Sequence, residues 1–421
     1  MSPTTRALLG HVLFRPRKAK WTFLVFMAGD NNLSSAGDKD LYEMRMVGST
    51  REVNIVVEFD NAGNKGSHRY RIGKDGKGEY HKKLPETDCG DPRALYDFVR
   101  WSVRRFPAEH YALVLWSHGS AWEPGEIDRI ARSVESPQYS PNEAIQRSTS
   151  PLGKAFFRTS LEKIFQLNPA ERAICVDDGS GHSLDTVELG RVLEQITTLM
   201  GQPLDILGMD ACLMSNIEVA YQARPYAKYL VASEELEPGD GWPYNRVLAR
   251  LTANPSMPAA ELAGHIVQDY VQFYLDQRHI GDITQSALDL SRLDALITPL
   301  DRLAEHLLAE MPASGLHMRK AQRQSANFFY KTLWDINHFC EALGEFASPE
   351  ICDAADAVRA ALQPGMDRLV AHIAHNGQRV ERCGGVSIYL PAQVDVSRYY
   401  AELEFTKNNR WPELLQAYME S

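Results

Sequence analysis

The sequence predicts an α/β fold on a mostly parallel, doubly wound central sheet. Three observations carry that expectation. Short runs rich in β-branched and aromatic residues recur through the first half of the chain. They are apolar at successive positions, as strands buried on both faces must be. Helical patterns lie between several of them, and strands alternating with helices are the pattern of a sheet covered on both sides.

The strand-like runs are, in order, WTFLVFM (21–27), VNIVVEF (53–59), YALVLW (111–116), AICV (173–176), LDILGM (204–209) and KYLVAS (228–233). Between them, DPRALYDFVRWSVRRF (91–106) reads as a helix. Asp91 is placed to cap it and Pro92 to open it, with Leu95, Phe98, Val99 and Phe106 on one face. SLDTVELGRVLEQITTLM (183–200) reads likewise, with a Ser or Asp cap before Val187, Leu189, Val192, Leu193 and Ile196. From about 250 the texture changes to long helical patterns at 258–277, 292–311, 319–343 and 350–375, interrupted late by GGVSIYLP (384–391). The expected organisation is a basic arm (1–20), an α/β core (21–250) and a helix-rich region (251–421) that returns a strand at 384–391. Within the core, residues 122–172 form a polar, proline-dotted insertion. A loop of that length is usually functional or disordered, though a tolerated surface insertion would look the same.

The chain has 421 residues and a net charge of −10 spread along its length, which disfavours nucleic acid as the main partner. No stretch approaches the roughly 20 apolar residues of a membrane span. The basic lead of Arg6, Arg15, Arg17, Lys18 and Lys20 reads as a flexible arm. ALLGHVLF (7–14) is short, holds a histidine and precedes RPRKAK rather than a cleavage site, so a secretory signal is not expected. The six cysteines, at 89, 175, 212, 340, 352 and 383, show no C-x-x-C spacing. A reducing, cytoplasmic location is the expectation.

Two strand ends carry the chemistry. YALVLW is followed directly by Ser117, His118 and Gly119, and LDILGM by Asp210, Ala211 and Cys212. In a parallel sheet both reactive side chains fall on the carboxyl edge, where ligands bind. A cysteine and a histidine converging from separate elements form a nucleophile and its base. LMSNIEVAYQARPY after Cys212 reads as a helix, which would put the thiol at a helix N-terminus, where a thiolate is favoured. The N–H groups of Gly119 and Cys212 could form an oxyanion hole. Taken singly, Cys212 reads as packing and His118 as an ordinary hydrogen-bonded residue; their shared edge favours chemistry. His182, Cys175, Cys340 and Cys89 are weaker candidates. Asp30, Asn31 and Asn32 follow the first strand, where a positioning role is expected.

Seven segments together resemble the clostripain family of cysteine peptidases, within the caspase-like group. They are FLVFMAGDNNLSSAGDKDLYEM (23–44), LVLWSHGSAW (113–122), ICVDDGSGHSLDTVELGRVL (174–193), LDILGMDACLMSNIEVAYQ (204–222), EELEPGDGWPY (234–244), QSALDLSRL (285–293) and GGVSIYLP (384–391). The resemblance implies a caspase-like three-layer αβα sandwich and peptide-bond hydrolysis through a thiol ester, with His118 and Cys212 as the dyad. It implies a preference for Arg or Lys before the scissile bond, with Asp210 and Asp240 as the pocket acids. A carboxylate in a partly desolvated pocket pairs well with a guanidinium. Asp210 could instead cap the following helix, and Asp240 could be a turn residue.

The family often matures by self-cleavage between the histidine and the cysteine. Here the long polar loop offers Arg129, Arg132, Arg147, Lys154 and Arg158. Family members are often secreted; without a visible signal, a cytoplasmic processing protease is the expectation. Some relatives need calcium, but no EF-hand loop or dense acidic cluster indicates it, so no cofactor is expected and calcium stays open. The expected partner is a protein or peptide substrate, with an activating partner left unidentified. The alternatives are a caspase-like binding or regulatory scaffold without peptidase activity, and a thiol hydrolase acting on a non-peptide acyl group.

Overall fold

The computed structural model describes residues 18–30, 33–61, 66–85, 87–119, 121, 184–279, 281–391 and 398–421. The polar insertion, the run AICV (173–176) and nearly all of the basic arm lie outside them.

The main sheet is built from β1 (Ala19–Gly29), β2 (Val53–Asn61), β3 (Gly66–Arg71), β4 (Tyr80–Lys83), β5 (Ala108–Trp116), β6 (Leu204–Asp210), β7 (Ala227–Ala232) and β8 (Ile283–Asp289). A small separate sheet holds β9 (Asn327–Phe328) and β10 (Leu333–Asp335); β11 (Val370–Asn376) returns to the main sheet and β12 (Ser387–Tyr389) joins the small one. Among the described residues the nine main strands run in the order β11-β8-β7-β6-β5-β1-β2-β3-β4. The central strands β2, β1, β5, β6 and β7 are parallel. The antiparallel pairs β7–β8 and β8–β11 extend one side, and β2–β3 and β3–β4 the other.

The parallel strands are buried on both faces, and their side chains alternate between two cores. Phe23, Val25 and Met27 of β1 enter one, with residues of α1 (Ser34–Val47) and of helices at Tyr244–Ala253 and Ala259–Asp276. Leu24, Phe26 and Ala28 enter the other, with residues of α2 (Pro92–Arg105), α3 (Thr186–Met200) and α4 (Ile217–Ala223). We number the two helices of the first core α5 (Tyr244–Ala253) and α6 (Ala259–Asp276). The result is the expected three-layer sandwich. Local signals set the ends of these helices. Asp91 accepts from the Arg93 N–H with Pro92 in the first turn, and Asp185 and Glu188 form a reciprocal capping box on α3.

The C-terminal region differs from its helical pattern. The stretch at 319–343 is not one helix: α8 (Ala313–Gln324), which follows α7 (Asp294–Ala309), stops, β9 and β10 pair, and α9 (Ile336–Leu343) begins under the Asp335 cap. The stretch at 350–375 splits into α10 (Pro349–Ala361) and β11. GGVSIYLP supplies β12, which pairs with β10 in the small sheet. Among the described residues, no helix is long and apolar enough to cross a membrane.

Candidate active site

Trp116, the last residue of β5, is the register partner of Asp210, the last residue of β6. His118 and Cys212 therefore leave the sheet at matching points on the same edge. Both line one pocket, together with Leu33, Trp116, Ser117, Asp210, Ala211, Glu237, Pro238, Gly239 and Gly241. Ser117 fixes the histidine segment: its N–H donates to the Asp210 carbonyl (3.3 Å), and its hydroxyl donates to that of Ala28 (3.1 Å).

The cysteine segment is held from the other side. Leu213 turns the backbone into the left-handed region (φ 66°), and its N–H donates to the Glu235 carbonyl at 3.2 Å. The Ser215 N–H donates to the Ser233 carbonyl (2.8 Å), and the Ser387 N–H donates to the Ser215 carbonyl (3.0 Å). The Ser215 and Ser286 hydroxyls both donate to the Gly385 carbonyl, at 2.6 and 2.7 Å. The C-terminal region thus buttresses the loop that carries Cys212.

One expectation is corrected here. The helix after Cys212 begins only at Ile217, capped by Asn216, whose side chain accepts from the Glu218 and Val219 N–H groups. Cys212 is not at a helix N-terminus, and Asp210 is not that helix's cap. The segment between turns instead of coiling because its backbone is engaged by residues 233–235 and 387.

In this conformation both candidate side chains are buried and neutral. His118 is 1% and Cys212 3% exposed. Burial lowers the imidazole to about 3. Burial, with the nearby Glu237 and Asp210 charges, pushes the thiol up to about 12, while the Glu237 N–H, 3.3 Å from Sγ, opposes the shift. A thiolate here requires solvent or a compensating positive charge.

Asp210 lines the same pocket as Cys212. Its Oδ2 accepts from the Tyr244 hydroxyl (2.8 Å) and the Trp242 N–H (3.3 Å). Gly241 packs so closely that an added Cβ would lie 3.0 Å from Oδ1. Burial raises this carboxyl to about 6, against its hydrogen bonds to Glu237 and Tyr244. Glu237, which sequence reasoning passed over, is raised well above the carboxylate range by burial and by Asp210. Asp40 of α1 is raised too, chiefly by burial and then by Asp210, while the Trp116 indole donates to it at 2.8 Å.

The other sequence candidates fall elsewhere. Asp240 is turned to Lys39, at 2.7 Å, while its neighbours Gly239 and Gly241 line the pocket. Gly119 lies against the Cys212 backbone. Cys340 is buried on α9, and Cys89 is buried ahead of α2. Asp30 follows β1 on the same sheet edge. Arg129, Arg132, Arg147, Lys154, Arg158, Cys175, His182, Asn31 and Asn32 lie outside the described residues. Among the described residues one group could hold a metal ion: Glu234, Asp335 and Cys383, with donor atoms within 4.8 Å of one another. Asp335 already accepts from the His338 and Gly384 N–H groups. Burial and mutual repulsion raise the facing Glu234, so a shared proton also satisfies this pair.

The model of the Clostripain family matches residues 25–134 and 163–418. Clostripain of Hathewaya histolytica is 24% identical over 362 residues, covering 72% of this chain. The chain spans 60% of that relative's length. An inactive zymogen C11 protease from Parabacteroides distasonis superposes with a TM-score of 0.64 at 18% identity, covering 94% of this chain and 99% of that one. A secreted C11 cysteine protease from Bacteroides thetaiotaomicron, in complex with an irreversible peptide inhibitor, superposes with a TM-score of 0.63 at 19% identity, covering 93% and 99%. At these identities the two structures speak for the shared fold.

Proposed function

The chain belongs to the clostripain family, and from that premise we propose that it is a cysteine endopeptidase cleaving after Arg or Lys. The observation that carries this reading is the placement of His118 and Cys212 beyond register-matched strand ends, around one pocket with buried acids beside the sulfur.

In the proposed reaction the Cys212 proton passes to His118 and the thiolate attacks the scissile carbonyl carbon. The N–H groups of Gly119 and Cys212 hold the oxyanion. Collapse breaks the C–N bond, His118 gives its proton to the leaving amine, and a thiol ester remains. His118 then takes a proton from water, whose oxygen attacks the ester and frees the acid and the thiol. A basic substrate side chain at Asp210 also answers the electrostatic problem of the buried dyad. It neutralises acids that hold the thiol protonated, so ionisation of Cys212 follows occupancy of the pocket.

The test is a panel of fluorogenic peptides with Arg, Lys, Asp, Asn or Ala before the reporter, assayed with and without calcium. Turnover of the Arg and Lys members alone is expected. Failure to cut any member would remove the peptidase reading and leave the scaffold or the non-peptide thiol hydrolase.

Self-cleavage is part of the proposal. The loop between His118 and Cys212 holds Arg129, Arg132, Arg147, Lys154 and Arg158. A nearly inaccessible dyad fits a chain that acts after being cut. Intact mass of the wild type and of Cys212→Ala, followed during incubation, decides it. Two fragments from the wild type alone are expected, and identical masses would overturn self-cleavage.

A further inference from the structure

We infer that Glu237 is the second acid of the specificity pocket and shares with Asp210 the recognition of the basic side chain. The inference rests on the proposed cleavage after Arg or Lys, and it assigns Glu237 the place that the sequence suggested for Asp240.

Asp210 and Glu237 both line the pocket of the nucleophile and are 4% and 5% exposed. The two carboxyls face each other closely enough for each to shift the other, and two buried acids so placed favour one proton held between them. The donors around them are few. Tyr244 and the Trp242 N–H serve Asp210, and Gln285 donates to Glu237 Oε1 at 3.3 Å. Glu237 Oε2 has no hydrogen-bond partner among the described residues, and the unpaired Trp242 indole N–H faces this carboxyl. Two buried acids with one proton and an open acceptor form a receptor for a group rich in N–H bonds. A guanidinium carries five in a planar fork and can span both carboxyls; an ammonium carries three. Either cation displaces the shared proton, because two carboxylates then face a positive charge instead of each other.

Asp240 does not offer the same contact. Its carboxylate is paired with Lys39, whose ammonium also lies 5.5 Å from the Phe273 ring centroid. Glu237 has a further link to the chemistry, since its N–H is 3.3 Å from Cys212 Sγ. The residue that grips the substrate cation also touches the nucleophile.

Displacement of the proton gives the test its sign. The groups facing the pair are Asp40 from α1, with Lys39 and Glu43 behind it, Tyr244 from α5, Tyr270 and Tyr274 from α6, Gln285 from β8, and Trp242 and Cys212, while His118 lines the same pocket. The measurement is calorimetric binding of an Arg-containing peptide to Cys212→Ala protein, in buffers of different ionisation enthalpy. At pH 8, where Asp210 (raised to about 6) is ionised and the pair keeps only the proton that the higher Glu237 holds, binding should release close to one proton. With Glu237→Gln added, the amide donates to Asp210 and no proton is released. In otherwise wild-type enzyme, Glu237→Gln should raise KM for Arg and Lys peptides about tenfold. Glu237→Asp should restore part of the loss. Unchanged proton release and KM in a folded Glu237→Gln protein would overturn the inference and leave cleavage after basic residues standing. A wild-type enzyme indifferent to basic residues would overturn both.

Discussion

The Cys212 carbonyl oxygen occupies the space that a side chain on Gly119 would need: a Cβ built there would lie 2.4 Å from it. The backbone beside His118 and the backbone of Cys212 are in contact, so the two strand ends are spaced by main chain. Gly119→Ala must push them apart. We expect at least a hundredfold fall in kcat/KM, about 3 kcal/mol of transition-state stabilisation, and a lower melting temperature. Peptide kinetics with parallel thermal unfolding check it; near-normal kinetics would mean the backbone spacing is not critical.

On the proposed dyad, Cys212→Ala and His118→Ala should each lower turnover by about a thousandfold or more, as residues working as one unit do. The double variant should be little worse than either single one. Circular dichroism should show an unchanged fold. Independent, additive losses would contradict a dyad.

Asp210→Asn keeps the acceptor to Tyr244 and removes the charge. We expect kcat/KM for Arg peptides to fall about a hundredfold, as a charge-assisted bond is replaced by a neutral one. Cleavage of an Ala peptide should change little. The ratio of the two rates is the readout, and an unaltered ratio would exclude Asp210 from the pocket. Asp240→Asn should leave that ratio nearly intact.

Glu218 supplies a pH test away from the site. It is fully buried on α4, accepts from the Tyr389 N–H (3.1 Å) and the Tyr400 hydroxyl (2.7 Å), and is raised from 4.5 to about 7, mainly by burial. A carboxyl raised on folding stabilises the fold while protonated, and that contribution is lost as pH rises from below 4.5 through about 7. Its full loss is about 3 kcal/mol. Glu218→Gln cannot ionise. Its melting temperature relative to the parent should therefore rise between pH 5 and pH 8, measured in a Cys212→Ala background. A constant difference would refute the linkage.

The central strands are readable in the sequence because each is apolar on both faces, a pattern that half-exposed strands and surface helices do not show. The strand-end positions of His118 and Cys212 follow from them. Other elements are hidden for physical reasons. β3 and β4 are polar edge strands, GSHRYR and YHKK, without an apolar period. β8 looks polar because its buried Thr284, Gln285 and Ser286 hold up the loops: Thr284 bonds Ser233 and the Glu234 N–H, Gln285 bonds Glu237, and Ser286 bonds Ser215. The start of α4 lies beyond where the apolar pattern puts it, because Asn216, not a residue near Cys212, provides the cap. Glu237 lies in EELEPGDGW among three other acids, and only the fold tells which one faces Asp210.

β5 and β6 are register neighbours in the sheet, yet the whole stretch from Ser117 to Pro203 separates them along the chain. One cut in the insertion would place His118 and Cys212 on different polypeptides, joined by strand pairing and a common core. The nicked protein would then be a heterodimer sharing one sheet. Its recovery from denaturant would become second order, faster at higher concentration and lost on dilution, whereas the uncut chain would refold at a rate independent of concentration. Maturation by cleavage would thus be irreversible in folding as well as in covalent structure. The two halves, produced separately, could assemble a working site only by finding each other.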